Sequence, residues 1–322
     1  MQRIGLDLGT CTVLVADAHK GVLLKEPAVI ASDSTQADGY TVGERARRML
    51  GRTPAHIHAM RPVCRGAVGA PAATRELLKR VLPRAVGWKW RFHPEVVAAV
   101  PTRATRFERE ALKQAIAAAG AGAVSIVEKP IAAAFGAGLK VGQPHAALIV
   151  DIGAGTTEVA AVSPEIVVCD CISVGGDAFD TAIVFHLRTC HGLEIGQESA
   201  EQIKLTIGSA HPRHDTRRLE VHGRDRSSGL PHHVTVTGRQ VRLALEEPLR
   251  RIATLIHTTL DRTPPALSAD VLQGGLVLTG GGALLRGLDE YLGQEIGQTV
   301  ILAEDPVGCV ARGTLIARAC RN

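Results

Sequence analysis

Aromatic residues are scarce: two Trp, two Tyr and five Phe make up 3% of the 322 residues. Long apolar runs are missing as well. No uninterrupted stretch approaches the ~20 residues of a membrane-spanning helix, so a transmembrane anchor is not expected. Met1-Gln2-Arg3 leads straight into a strand-like segment, without the charged tract and apolar stretch of a secretory leader. Neither sign of charge dominates. The 37 basic and 32 acidic residues leave a net charge of +5, short of the dense basic stripe of a nucleic-acid binder. The cysteines Cys11, Cys64, Cys169, Cys171, Cys190, Cys309 and Cys320 are odd in number and scattered. That usage points to reduced thiols in a cytosolic protein rather than to a disulfide framework. The one close pair, Cys169-x-Cys171, has no second pair near it to complete a zinc site. There is no G-x-x-x-x-G-K-[ST] run either, which excludes a P-loop.

What is there is a 45% hydrophobic chain, too apolar for disorder and long enough for roughly two domains with cores of their own. The few aromatics are unevenly spread. Both tryptophans and one phenylalanine fall within five residues, at Trp88, Trp90 and Phe92.

Two segments resemble each other. Ile4-Gly-Leu-Asp7-Leu-Gly9-Thr10 and Ile149-Val-Asp151-Ile-Gly153-Ala-Gly155-Thr156 both read as apolar strand, carboxylate, glycine turn and hydroxyl. Each runs on into a second β-like stretch, Val13 to Asp17 and Glu158 to Val162, so each reads as a hairpin. Two halves beginning with one device suggest a duplicated α/β architecture, with the boundary near Gln143-Pro144-His145. Thr105-x-x-Glu108 is a capping-box signature. After it Phe107, Ala111, Leu112, Ala115, Ile116 and Ala119 recur at helical spacing up to a stop at Gly120. Residues 199–207, 238–261 and 284–296 also read as helices. The polar stretch His211 to Pro231 reads as a solvated connection.

The glycine turns suit phosphate. Backbone N–H groups in Asp7-Leu-Gly9-Thr10-Cys11-Thr12 can face phosphate oxygens because glycine permits close approach. Asp151-Ile-Gly153-Ala154-Gly155-Thr156-Thr157 offers a second such turn, and two turns from two halves can clamp one polyphosphate. Asp7 and Asp151 would not touch phosphate; they suit Mg²⁺ held mostly through its waters. A third cluster, Thr279-Gly280-Gly281-Gly282-Ala283-Leu284, lies between a strand and a helix. There a flat ring can lie against backbone beside a positive helix end. Each cluster alone is a weak signal that reads more readily as an ordinary tight turn.

Their order is more specific. The run comprises DLGT from Asp7, Val100-Pro101-Thr102, Glu128-Lys129-Pro130-Ile-Ala-Ala-Ala134, DIG-G-TTE from Asp151, Val174-Gly175-Gly176-Asp177 with Phe179-Asp180, and Thr279-Gly-Gly-Gly-Ala-Leu-Leu285. It resembles the superfamily of actins, heat-shock chaperones and sugar kinases. Gly51-Arg-Thr-Pro54, Ala200-Glu201-Gln-Ile-Lys204 with Ile207-Gly-Ser-Ala210, Arg262-Thr-Pro-Pro265 and Leu302-Ala-Glu-Asp-Pro306 narrow the resemblance to bacterial actins of the MreB/Mbl type. It extends from Arg3 to about Ala319.

The resemblance implies an actin-like α/β fold of two duplicated domains around a nucleotide cleft, each with a smaller subdomain. Domain I would cover 1–143, with a small subdomain near 31–75, completed by 304–322; domain II would cover 144–303. It also implies ATP or ADP with Mg²⁺, and polymerisation into filaments. Gly9, Thr10, Cys11 and Thr12 would meet the β- and γ-phosphates, and Gly153, Ala154, Gly155 and Thr156 would form the second phosphate loop. Asp7 and Asp151 would organise the metal. Glu128 would orient the attacking water, a positioning role in phosphoryl transfer. Glu201 and Lys204, one turn apart on a helix face, would reach ribose and adenine. Gly175, Gly176, Gly280, Gly281, Gly282 and Leu284 would complete the nucleotide site. Three positions depart from the family: Ala154 replaces a glycine, Lys129 a glutamate and Val13 a hydroxyl residue. They leave nucleotide binding expected and the rate of hydrolysis open.

Some bacterial actins carry an amphipathic helix at the N-terminus, which this sequence does not begin with. Others touch the membrane with an apolar loop before the strand leading into the VP motif. Here that loop is Gly87-Trp88-Lys89-Trp90-Arg91-Phe92. Its tryptophans suit the headgroup boundary and Lys89 and Arg91 suit anionic lipid; an edge strand packing alternate aromatics on the core is the competing reading. The implied protein is a cytoplasmic, ATP-dependent homopolymer under the inner face of the membrane. Its implied partners are cell-wall synthesis and morphogenesis membrane proteins, with no nucleic acid. An actin-like protein that binds nucleotide without turnover, or a sugar kinase of the same superfamily, is the alternative. No motif for a sugar pocket and base is found between the two glycine turns, and a chaperone-type ATPase, which would require a C-terminal peptide-binding region, is not expected.

Overall fold

The structure, a computed structural model, describes residues 2–36, 38–139, 146–163 and 166–320. The chain forms two compact units. Met1–Pro144, Val162–Ile166 and Val307–Asn322 make the first, and His145–Ala161 and Val167–Pro306 the second. The division expected between 143 and 144 lies outside the described residues.

In the first unit the chain opens as a meander of β1 (Arg3–Leu8), β2 (Thr12–Asp17) and β3 (Gly21–Pro27). A small sheet follows, with β4 (Ile30–Asp33) between β5 (Tyr40–Val42) and β6 (Ile57–Met60). Its own core of Val29, Ala31 and Ala46 includes a residue of α1 (Glu44–Arg47). A short hairpin, β7 (Val63–Cys64) and β8 (Ala67–Val68), leads to α2 (Pro71–Val86). Then come β9 (Glu95–Val100), α3 (Arg106–Ala118), β10 (Ala123–Glu128) and α4 (Lys129–Gly136). The main sheet runs β10-β9-β1-β2-β3.

β9 is buried at every position and β1 at all but its first, as strands covered on both faces require. Because β10, β9 and β1 are parallel, their C-terminal ends share one sheet edge, the edge where open α/β sheets place ligands. Asp7, Glu128 and Lys129 are all delivered there. The start of α4 is held firmly, because α4 packs against the last helix (Cys309–Cys320) through small residues. A Cβ on Gly136 would overlap the Cys309 carbonyl, and one on Gly313 the Ala132 carbonyl.

The capping box forms as expected. Thr105 Oγ1 accepts from the Glu108 N–H at 3.2 Å, and Glu108 Oε2 accepts from the Thr105 N–H at 2.7 Å. Leu112, Ala115 and Ile116 turn inward while Phe107 stays exposed. A buried carboxylate ties the sheet to the last helix: Glu95 accepts from Ser125 Oγ at 2.7 Å and from Arg3 and Arg318, each at 3.1 Å. The Ser125 hydroxyl first, then the two guanidinium groups, hold its carboxyl below the usual glutamate range against the effect of burial.

The second unit repeats the device. β11 (Ala147–Ile152), β12 (Thr157–Val162) and β13 (Ile166–Ile172) are neighbours in a sheet completed by β17 (Leu276–Thr279) and β18 (Val300–Leu302). β11, β17 and β18 are parallel, with Asp151 opposite Thr279. Around this sheet lie α5 (Gly176–Cys190), α6 (Gln197–Ile207), α7 (Gly238–Asp261), α8 (Pro265–Gly274) and α9 (Leu288–Ile296). The helix expected over 284–296 starts late, because Gly281–Leu284 is a separate 3-10 turn and Gly287 sits at φ 68°.

The solvated connection expected over 211–231 is mostly a hairpin instead. β14 (Leu193–Glu194), β15 (Arg218–Asp225) and β16 (Pro231–Thr237) form a three-stranded sheet. Leu219 and Val221 pair with Val236 and Val234 on the face that packs against the core, so the apolar alternation is only two residues long in each strand, amid Arg, His, Glu and Gly.

Candidate functional site

Both glycine turns are built alike. The Gly9 N–H donates to the Thr12 carbonyl at 2.9 Å, and the Gly153 N–H donates to the Thr156 carbonyl at 2.9 Å. In each, a Cβ on the glycine would crowd that same carbonyl, at 3.2 Å and 3.3 Å. In each, a buried aspartate lies two residues before the glycine, Asp7 or Asp151. The duplication read from sequence is therefore a duplication of hydrogen bonding.

The first turn is braced from two sides. Thr10 Oγ1 accepts from the Gly66 N–H at 3.1 Å, and the Cys11 carbonyl accepts from the Ala28 N–H at 2.8 Å. The Thr10 hydroxyl is thus partly committed to the β7–β8 turn, with its own proton still available to an acceptor. Glu128 and Lys129 diverge at the entrance to α4. Glu128 Oε1 accepts from Arg109 Nη2 at 3.1 Å, and the same guanidinium group donates to the Thr102 carbonyl. Lys129 goes inward: it is 8% exposed, and its Nζ lies 3.3 Å from Oδ1 of Asp7, itself 7% exposed. The added positive charge at position 129 stands against Asp7, while Glu128 is answered by Arg109.

The second turn rests on the Val174-Gly175-Gly176-Asp177 segment. The Gly153 carbonyl accepts from the Gly176 N–H at 3.0 Å and the Ala154 carbonyl from the Asp177 N–H at 2.8 Å. Thr157 Oγ1 donates to the Val174 carbonyl at 2.8 Å. A Cβ on Gly175 would lie 2.5 Å from the Gly153 carbonyl oxygen. Gly175 and Gly176 accordingly support the Gly153 turn from behind. Lys204 supports the same segment, donating to the Gly176 carbonyl at 3.1 Å and pairing with Asp180 at 2.8 Å. Burial pushes the Asp180 carboxyl up to about 6, against the pull of that ammonium. Of the Glu201 and Lys204 pair, the lysine is engaged beneath the turn.

The third glycine cluster divides by role. Gly280 sits at φ 83°, and a Cβ there would lie 2.5 Å from Asp151 Oδ1. One on Gly282 would overlap the Ile152 side chain, whereas one on Gly281 meets nothing within 4 Å. Gly280 and Gly282 let the turn press on β11, and Gly281 faces open space. Leu284 is exposed beside it. Arg286, which no sequence signal marked, docks the Ile207-Gly-Ser-Ala210 motif by donating to the carbonyls of Gly208 and Thr206.

The aromatic cluster is a 3-10 turn, Gly87–Phe92, and not an edge strand. Trp88 and Phe92 are 67% and 70% exposed, in edge-to-face contact at 5.5 Å between centroids, flanked by exposed Lys89 and Arg91. Trp90 departs from its neighbours: it packs against the first unit's core, beside Gly120. Three consecutive alternate residues cannot all face outward on a 3-10 turn, whose side chains repeat every third position.

Among the described residues, no helix is long and apolar enough to cross a membrane. A profile of the MreB/Mbl protein family matches residues 1–321. The cell shape-determining protein MreB of Escherichia coli strain K12 is 41% identical over 316 residues, 96% of this chain and 91% of that protein. The cell shape-determining protein Mbl of Bacillus subtilis strain 168 is 40% identical over 313 residues, 97% of this chain and 94% of that protein. Among solved structures, MreB5 of Spiroplasma citri bound to AMPPNP matches with a TM-score of 0.93 and 35% identity, covering 99% of this chain and 96% of that one. The chain belongs to the MreB/Mbl protein family and is an actin-like cytoskeletal protein.

Proposed function

We propose that this protein binds ATP through its twin glycine turns and assembles into filaments that lie on a membrane and organise cell-wall synthesis. The observation carrying the nucleotide reading is the repeated turn: the same glycine-to-threonine hydrogen bond behind a buried aspartate, at the C-terminal edge of parallel strands in each unit. The N–H groups of Gly9 and Gly153 close the two turns, and the phosphate contacts are assigned to the residues those turns carry, Thr10, Cys11 and Thr12 in the first and Ala154, Gly155 and Thr156 in the second. Gly281, Leu284 and Glu201 are the groups assigned to the nucleoside. AMPPNP in the Spiroplasma relative supports this choice of ligand. Calorimetric titration with ATP tests it. Saturable binding that Gly153→Val abolishes supports the reading, and no heat of binding defeats it.

Turnover is a separate matter. Glu128 is the carboxylate assigned to the attacking water, yet it already accepts from Arg109. That pairing favours slow hydrolysis, or nucleotide held without hydrolysis, over rapid cycling. Phosphate release assays on the wild type and on Glu128→Gln measure which.

The membrane contact is assigned to Trp88 and Phe92, with Lys89 and Arg91 meeting anionic headgroups. One such turn binds weakly, and a filament presenting many gains by avidity. Membrane proteins of cell-wall synthesis are the proposed partners of the assembled form.

A further inference from the structure

Lys129 is the residue whose surroundings agree least with the magnesium site that the family resemblance implies. It is the first residue of α4, whose position is fixed by close packing on the last helix. It cannot swing into solvent as a surface lysine does. Its ammonium lies 3.3 Å from Asp7 Oδ1, an oxygen that accepts no hydrogen bond from the described residues. A buried lysine is tolerated only against negative charge, and Asp7 supplies it.

Magnesium asks for something different: a near-octahedral oxygen shell at about 2.0–2.1 Å, usually including several retained waters. An ammonium 3.3 Å from Asp7 Oδ1 competes with such a water or ion for that oxygen, and it repels a doubly charged ion. The residues at Asp7 therefore do not fit a divalent cation. They fit a single positive charge, and the chain itself carries one.

We infer that Lys129 is a built-in counter-cation: it neutralises Asp7 and donates to the terminal phosphate oxygens of the nucleotide, so that this chain holds ATP without needing Mg²⁺. An ammonium carries three donors, so pairing with Asp7 is compatible with a hydrogen bond to phosphate. The role is that of a point charge on phosphate, which lysine fills well. The inference rests on the nucleotide reading above, and its test separates the two.

ATP binding is titrated calorimetrically in excess MgCl₂ and again in excess EDTA. Wild type is expected to bind in both, with affinities within about threefold, and Lys129→Met to lose about tenfold or more in EDTA. Lys129→Glu, which restores the carboxylate usual in the family, is expected to bind only with Mg²⁺. Wild type that binds in MgCl₂ and not in EDTA overturns the inference and leaves the nucleotide reading standing. Lys129→Met that binds in EDTA as tightly as wild type also overturns it. Wild type that binds in neither condition removes both. The wild-type comparison needs no variant to fold.

Discussion

Asp180 and Glu95 are both buried carboxylates with basic partners, yet their titrations run in opposite directions. Asp180 is raised to about 6 by burial, so the folded state binds a proton that the unfolded chain releases at 3.8. Its contribution to stability is complete below that value and is lost as pH rises to about 6. Removing the opposing ammonium in Lys204→Met should move the Asp180 midpoint higher still, read by carboxyl NMR; an unmoved midpoint would show that Lys204 does not act on it. Glu95 is lowered, so its contribution is present above the ordinary glutamate range and fades as pH falls through the lowered value. Glycines also separate by role. Gly282→Ala forces a methyl onto Ile152 and should cost about 1–3 kcal/mol. Gly281→Ala meets open space and should leave thermal stability unchanged while weakening ATP binding. The sequence marked these three glycines as one cluster, and nothing in a run of identical residues tells which of them faces a neighbouring strand. Lys129 was visible as an unusual residue, but its partner lies 122 positions away in sequence, at Asp7, and only the parallel pairing of β1, β9 and β10 brings them to one edge.

At the scale of elements, what depends on local chemistry was readable. The two hairpins, the Thr105 capping box and the helix Gly238–Asp261 follow from turn residues, caps and apolar spacing. Thr105→Ala should cost about 1 kcal/mol through the lost cap, measured by denaturant unfolding. The hairpin of β15 and β16 is hard to read from sequence because its apolar face is only Leu219 and Val221 against Val236 and Val234, too short an alternation to stand out among Arg, His and Gly. The aromatic turn shows the same limit differently. Alternation suggested that Trp88, Trp90 and Phe92 act together, whereas the 3-10 geometry sends Trp90 to the core. Two outcomes follow. Trp88→Ala with Phe92→Ala should abolish co-sedimentation with anionic liposomes and leave melting unchanged. Trp90→Ala should destabilise the protein by about 1–3 kcal/mol. If the exposed pair can be removed without loss of lipid binding, the contact lies elsewhere.

For the whole molecule, the ordered motifs were more informative than any of them singly. Each glycine turn alone is an ordinary device, and the recurrence of one hydrogen-bonded turn in two units is the observation on which the proposed phosphate ligand rests. Family membership gives that arrangement a cytoskeletal setting, and the account then makes assembly the consequence of nucleotide binding. Sedimentation of the purified chain at high speed, with ATP and without nucleotide, tests this most directly. The account predicts that the protein pellets with ATP, that it stays in the supernatant without nucleotide, and that Gly153→Val remains soluble in both. A wild-type protein that stays in the supernatant with ATP, or one that pellets equally without nucleotide, would contradict it.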